Sequence, residues 1–165
     1  MAKTWANAPI RPYRCVPQVK YTDAGEEASQ TYVIGAPLVY DSSSKEGEEW
    51  AGGTDATTFL GFAARAASGT AATAQPYYEA SDDAEFVGTL VNGTATVALA
   101  ASHIGTKYSL IKDSTTSNWN VDVGDTTTTR VQVIGIGQGA AIGDTNAPVI
   151  FKVLTDMQRN RVASS

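Results

Sequence analysis

The chain has little of the chemistry on which most enzymes and metal proteins draw. Among 165 residues there is one cysteine, Cys15, and one histidine, His103. A single thiol excludes an internal disulfide framework and any multi-cysteine metal knuckle. It sits in a proline-containing stretch with no activating histidine nearby, so it reads as an incidental thiol. Charge is also scarce, at 18% of residues against roughly 25% in an average globular domain. No window approaches about 18 consecutive apolar residues, which excludes a membrane-spanning helix. The opening residues, MAKTWANAPIRPYRC, lack the apolar centre of a secretory signal. The expected setting is folding in a reducing cytoplasm.

The polar share is carried instead by Thr, Ser, Asn and Gly, a balance that favours strands and turns over helices. The length fits one domain with one sizeable core. The net charge of −5 is unevenly spread. All 17 acidic residues lie between Asp23 and Asp156, with six basic residues among them. The other six, Lys3, Arg11, Arg14, Lys20, Arg159 and Arg161, lie outside that span. An acidic body with basic ends suggests termini that attach to something acidic. A direct nucleic-acid role is not expected, because the body has the wrong sign and the ends lack the Lys/Arg density of a phosphate-tracking tail.

Residues 1–30 read as an extended arm. Pro9, Pro12 and Pro17 exclude a regular helix, while Trp5, Ile10, Tyr13 and Val16 are too apolar for a merely solvated tail. Such a segment lies along a surface, its own or a partner's. Residues 31–156 read as a β domain and 157–165 as a basic tail. Within the domain, TYVIGAPLVYD and TFLGFAARA are strand-like, and SSSKEGEEWAGG between them reads as a loop. ASGTAATAQPYYEASDDA reads as a long excursion, with room for a short helix over 71–75 between Gly69 and Pro76. In EFVGTLVNGTATVALA, Asn92-Gly93 predicts a two-residue type I′ hairpin with Val91 facing Thr94. TKYSLI puts Tyr108 and Leu110 on one side, NWNVD Trp119 and Val121, TTTTRVQVIGI Val131 and Val133, and PVIFKVL Val149, Phe151 and Val153. The fold class is therefore all-β, an antiparallel small barrel or sandwich of about eight short strands.

VQVIGIGQGAAIG, residues 131–143, spells the glycine pattern of a dinucleotide-binding loop. That loop needs a helix after the glycines inside a βαβ unit. Here Pro148 opens another strand within a few residues, so a glycine-rich turn between antiparallel strands is expected. His103, in a turn beside Gly105, reads as a surface or capping residue. The carboxylates at Glu46/Glu48/Glu49, Asp82/Asp83/Glu85 and Asp122/Asp125 lack EF-hand spacing and read as solvated loop charge. No catalytic set, cofactor or metal is expected.

Three stretches carry a resemblance. Gly35, Pro37 and Leu38, then Phe59-Leu60-Gly61-Phe62-Ala63, resemble the opening strands of tailed-bacteriophage capsid decoration (cement) proteins. NGTATVALAASHIGTKYSLI and NWNVDVGDTTTTRVQVIGIG resemble their later strands, and GDTNAPVIFKVL their closing strand. The resemblance implies a non-enzymatic virion protein on the capsid exterior, assembled in the host cytoplasm. Its partner would be the major capsid protein, and it would form homotrimers that clamp neighbouring capsomers. Trp5, Ile10, Arg11, Tyr13 and Arg14 are then the expected capsid-binding residues, since aromatics and arginine are common anchors. On that view, removing residues 1–20 should abolish binding and leave a folded body. The alternative is a host-surface or carbohydrate-binding β module of a phage particle, with Trp50, Tyr77 and Tyr78 lining an exposed groove. A hydrolase would need His103 held against carboxylates in a pocket.

Overall fold

The structure is a computed structural model, and it describes residues 1–13, 18–41, 44, 46–52 and 59–157. Eleven strands run through the described residues: β1 (Arg11–Pro12), β2 (Val19–Tyr21), β3 (Pro37–Tyr40), β4 (Gly47–Glu49), β5 (Phe59–Ala63) and β6 (Pro76–Glu79), then β7 (Phe86–Val91), β8 (Lys107–Lys112), β9 (Trp119–Asp122), β10 (Val131–Ile136) and β11 (Pro148–Val153). The only helical pieces among them are 3-10 turns at Ala101–His103 and Thr155–Met157. The molecule is all-β, with more strands than the eight expected.

Strands β7, β11, β10, β8 and β9 close into a barrel, because β9 returns to pair with β7 in parallel at Leu90–Val121. The alternation legible in the sequence sets which residues point inward. Tyr108 and Leu110, Trp119 and Val121, Val131 and Val133, and Val149, Phe151 and Val153 are all buried. In β10 the register slips between Val133 and Gly135, so Ile134 is an extra, unpaired residue in a bulge and lies exposed. β1 adds to the same edge of β7, at Phe86 and Val87. The second sheet runs β2-β6-β5-β3-β4 and packs on the barrel. Phe62 of β5 joins the two. Its ring centroid lies 4.6 Å from that of Phe86 and 5.8 Å from that of Phe151, both on the barrel. Trp50 and Trp119 make a second bridge at 5.4 Å, and Glu49 accepts from the Trp119 indole at 2.8 Å and pairs with Lys112.

The expected hairpin does not form as predicted. Asn92, not Val91, sits at the turn's entry, exchanging two backbone hydrogen bonds with Ala95. Gly93 is the first central residue, with φ of +59°, as a type II′ turn requires. No return strand follows, because both edges of β7 are taken by segments distant in sequence: β11 on one side, β1 and β9 on the other. The possible helix at 71–75 is a turn instead, with Ala72 at φ +59°. Strands β4 and β6 arise in stretches read as loop.

Residues 1–30 are built into both sheets, supplying β1 and β2. Ile10 is fully buried between the barrel and the start of β3. Gly35, at φ +81°, makes room for it, since a Cβ there would stand 2.5 Å from the Ile10 carbonyl oxygen. Glu26 is fully buried as well. Its carboxylate accepts from the backbone N–H of Ser68 at 2.9 Å and of Gly69 at 2.7 Å, and from the Gln75 side-chain amide. These bonds pin the 66–75 turn onto the second sheet.

Candidate functional site

A groove of about 730 Å³ lies where the N-terminal segment crosses the barrel. One wall comes from Trp5, Ala8, Pro9, Arg11, Pro12 and Tyr13. The floor is Val87–Thr89 of β7 with Pro148, and the far wall is Tyr78 of β6 with Ile34. Ile34 is 48% exposed and adds apolar surface to the rim.

The groove's wall is fixed by one carboxylate. Asp144 accepts from the Lys3 backbone N–H at 2.7 Å, the Trp5 indole N–H at 3.1 Å and the Ala141 N–H at 3.1 Å. The Trp5 backbone N–H also donates to the Thr145 carbonyl at 3.0 Å. Ala8 donates to Thr89 Oγ1, and Tyr13 to the Glu85 carbonyl. A Cβ at Gly139 would lie 3.5 Å from the Trp5 ring, so the glycine-rich loop packs on the protein's own N-terminal segment. Gly137 passes so close to Pro148 that a side chain would clash with its backbone. This loop links two antiparallel strands and offers no helix for a phosphate.

Of the five residues expected at a capsid contact, the structure brings Trp5, Ile10, Arg11 and Tyr13 to this groove. Ile10 contributes from beneath. With no exposed surface it is a core residue and not an anchor, a correction that follows from the space left at Gly35. Arg14 and Cys15 lie outside the described residues, as do Arg159 and Arg161. Ile34 and Asp144 were not singled out from the sequence, and Tyr78 was named only for the carbohydrate-binding alternative. Only Asp144 carries a local signal, as the Asp of the GDTNAP turn.

The aromatic platform imagined for a carbohydrate site is not there. Trp50 and Tyr77 are buried, and Trp50 packs on Trp119 beneath the Arg130 guanidinium. Only Tyr78 reaches the groove. His103 Nδ1 accepts from the Ala100 N–H at 3.2 Å, capping its own turn. Burial lowers its pKa, so it is neutral at pH 7. No group of three or more His, Cys, Asp or Glu side chains that could hold a metal stands together among the described residues. No helix of the described chain is long and apolar enough to cross a membrane.

Two carboxylates give stability opposite pH dependences. Burial, with Glu27 hydrogen-bonded beside it, pushes Glu48 from an ordinary 4.5 up to about 7. The folded state therefore favours the protonated acid. That contribution is full below pH 4.5 and is lost as pH rises through 7. Asp144 is shifted the other way, chiefly by the Lys3 N–H and the Trp5 indole, from an ordinary 3.8 downward. Its contribution is full above that value and is lost as pH falls further. Thermal melts across pH 4.5–8 should show a decline on the alkaline side that Glu48→Gln flattens. The protection of Trp5 against hydrogen exchange should hold across that range and fall only below pH 3.8, as Asp144 is protonated.

No protein-family model, curated protein or solved structure matches this chain.

Proposed function

We propose that the protein is a non-enzymatic virion component that binds the outside of an assembled phage capsid and clamps neighbouring capsomers. The observation that carries this reading is the groove. Trp5, Arg11 and Tyr13, residues of the kinds that anchor interfaces, line a single apolar cleft beside the exposed Ile34. The resemblance of the strand segments to decoration proteins supplies the partner, the major capsid protein. A protein that binds only the assembled lattice stabilises that lattice by mass action. A homotrimer would add avidity, and mass measurement in solution should then give three times the 17.3 kDa chain.

The burial of Ile10 and the pairing of β1 and β2 change the test. Deleting residues 1–20 would remove core, so a loss of binding would report unfolding. The informative variants are Trp5→Ala and Tyr13→Ala, each checked for an intact near-ultraviolet spectrum. Co-sedimentation with undecorated capsids should weaken by roughly 30-fold or more for each, the size expected of an anchor worth about 2 kcal/mol. Folded variants that decorate with unchanged affinity would remove the groove from the account.

A further inference from the structure

The groove between the N-terminal segment and the second sheet has one charged side chain in its lining among the described residues, Arg11. Arg11 lies opposite Val87 of β7. Cross-strand partners share a face of the sheet, so the Arg11 side chain rises from the groove wall beside the Val87 floor. It makes no hydrogen bond or ion pair with any described residue. Two further cations stand close by: Lys3 Nζ lies 5.9 Å from the centre of the Trp5 ring, and Lys20, on the strand beside Tyr78, is 3.8 Å from Glu79. No carboxylate lines the groove among the described residues, although the whole chain carries a net charge of −5. The cleft is a cationic, largely apolar spot on an acidic protein.

The walls have few backbone donors for a ligand. Pro9, Pro12 and Pro148 carry no N–H. The N–H groups of Trp5, Ala8 and Tyr13 donate to the Thr145 carbonyl, Thr89 Oγ1 and the Glu85 carbonyl, and the Trp5 indole is held by Asp144. A partner strand finds no ladder of donors here, so recognition falls to side chains. The volume of about 730 Å³ matches pockets that enclose a ligand, roughly 300–1,000 Å³, and the occupant therefore protrudes into the cleft. A guanidinium presents five N–H donors in a planar fork that fits a carboxylate. We propose that the groove takes a protruding apolar segment of the shell protein bearing one Asp or Glu side chain, and that this carboxylate pairs with Arg11. The proposal rests on the capsid reading and adds the chemistry of the partner to it. Apolar neighbours of the carboxylate would cover Val87, Ile34 and Tyr78, and the water they exclude would strengthen the pair. The acidic remainder of the protein repels the same segment, so the pair also decides which face docks.

The test compares full-length variants in co-sedimentation with undecorated capsids, each first shown to keep the parent's near-ultraviolet spectrum. Arg11→Ala should weaken binding about 30-fold and Arg11→Glu about 100-fold or more. Arg11→Lys should recover part of the loss. Lys107→Glu makes the same change in net charge at an exposed site on β8 outside the groove, and should bind within about threefold of the parent. Carbodiimide treatment of capsids decorated with Arg11→Lys should couple the introduced amine to an Asp or Glu of the shell protein, located by mass spectrometry. Parent-like binding by Arg11→Glu, an equal loss in Lys107→Glu, or coupling only to the protein's own carboxylates would overturn the proposal and leave the capsid reading standing. If the parent itself does not sediment with capsids, both fall.

Discussion

Phe62→Ala should lower stability by about 3–5 kcal/mol and Tm by roughly 10 °C or more. Phe62 has no exposed surface and meets Phe59, Phe86 and Phe151 with ring centroids 4.6–5.8 Å away. Phe86 and Phe151 belong to the barrel and Phe62 to the second sheet, so the truncation opens a cavity at the junction that holds the layers together. Native stability is only about 5–15 kcal/mol, and the loss therefore takes a large share of it. Chemical denaturation followed by tryptophan fluorescence measures the change. A cost under 1 kcal/mol would mean that the two layers are not packed as one core. Phe62→Leu keeps most of the volume and should recover over half of the loss.

Glu26→Ala should be nearly as damaging, at about 3 kcal/mol. A buried acceptor removed on its own leaves its donors stranded, at about 1–3 kcal/mol for each unsatisfied group. Here the donors are the Ser68 and Gly69 backbone N–H groups and the Gln75 amide. Tyr32 feels the same carboxylate, and burial together with Glu26 raises its hydroxyl pKa. Glu26→Gln preserves one acceptor oxygen but turns an amide donor toward other donors, so it should lie between the alanine variant and the parent. Hydrogen exchange should localise the damage to residues 66–75 before the barrel is affected. If Glu26→Ala melts with the parent protein, the carboxylate is not what fixes that turn.

These two positions also show where the sequence was readable and where it was not. The strands β8, β9 and β11 were legible because large apolar residues recur at every second position, even in β9, where both faces are buried. The period of two then appears directly as Tyr108/Leu110, Trp119/Val121 and Val149/Phe151/Val153. β7 misled because it is buried on both faces. The Asn92-Gly93 pair that follows it invited a local hairpin, while its true neighbours come from residues 11–12, 119–122 and 148–153. Strand β4 was hidden in a run of glutamates, since an edge strand keeps polar side chains. Glu26 carries no local signal, and only the three-dimensional convergence of donors from Ser68, Gly69 and Gln75 makes it a core residue.

The groove was half legible. Aromatics and arginine among prolines marked residues 5–13 as a surface-lying segment, and that is where the groove forms. What the local pattern did not carry is that the surface is the protein's own barrel. Ile10 is buried because of a glycine 25 residues away, and Trp5 is held by an aspartate 139 residues away. Long-range contacts of this kind leave no periodic trace in the chain.

The most direct test of the central claim is a reconstructed map of cognate capsids incubated with the protein. The account predicts extra density on the outer surface, with the cleft of Trp5, Tyr13, Ile34 and Tyr78 turned toward the shell. Bare capsids, or bound protein with that cleft facing solvent, would contradict it.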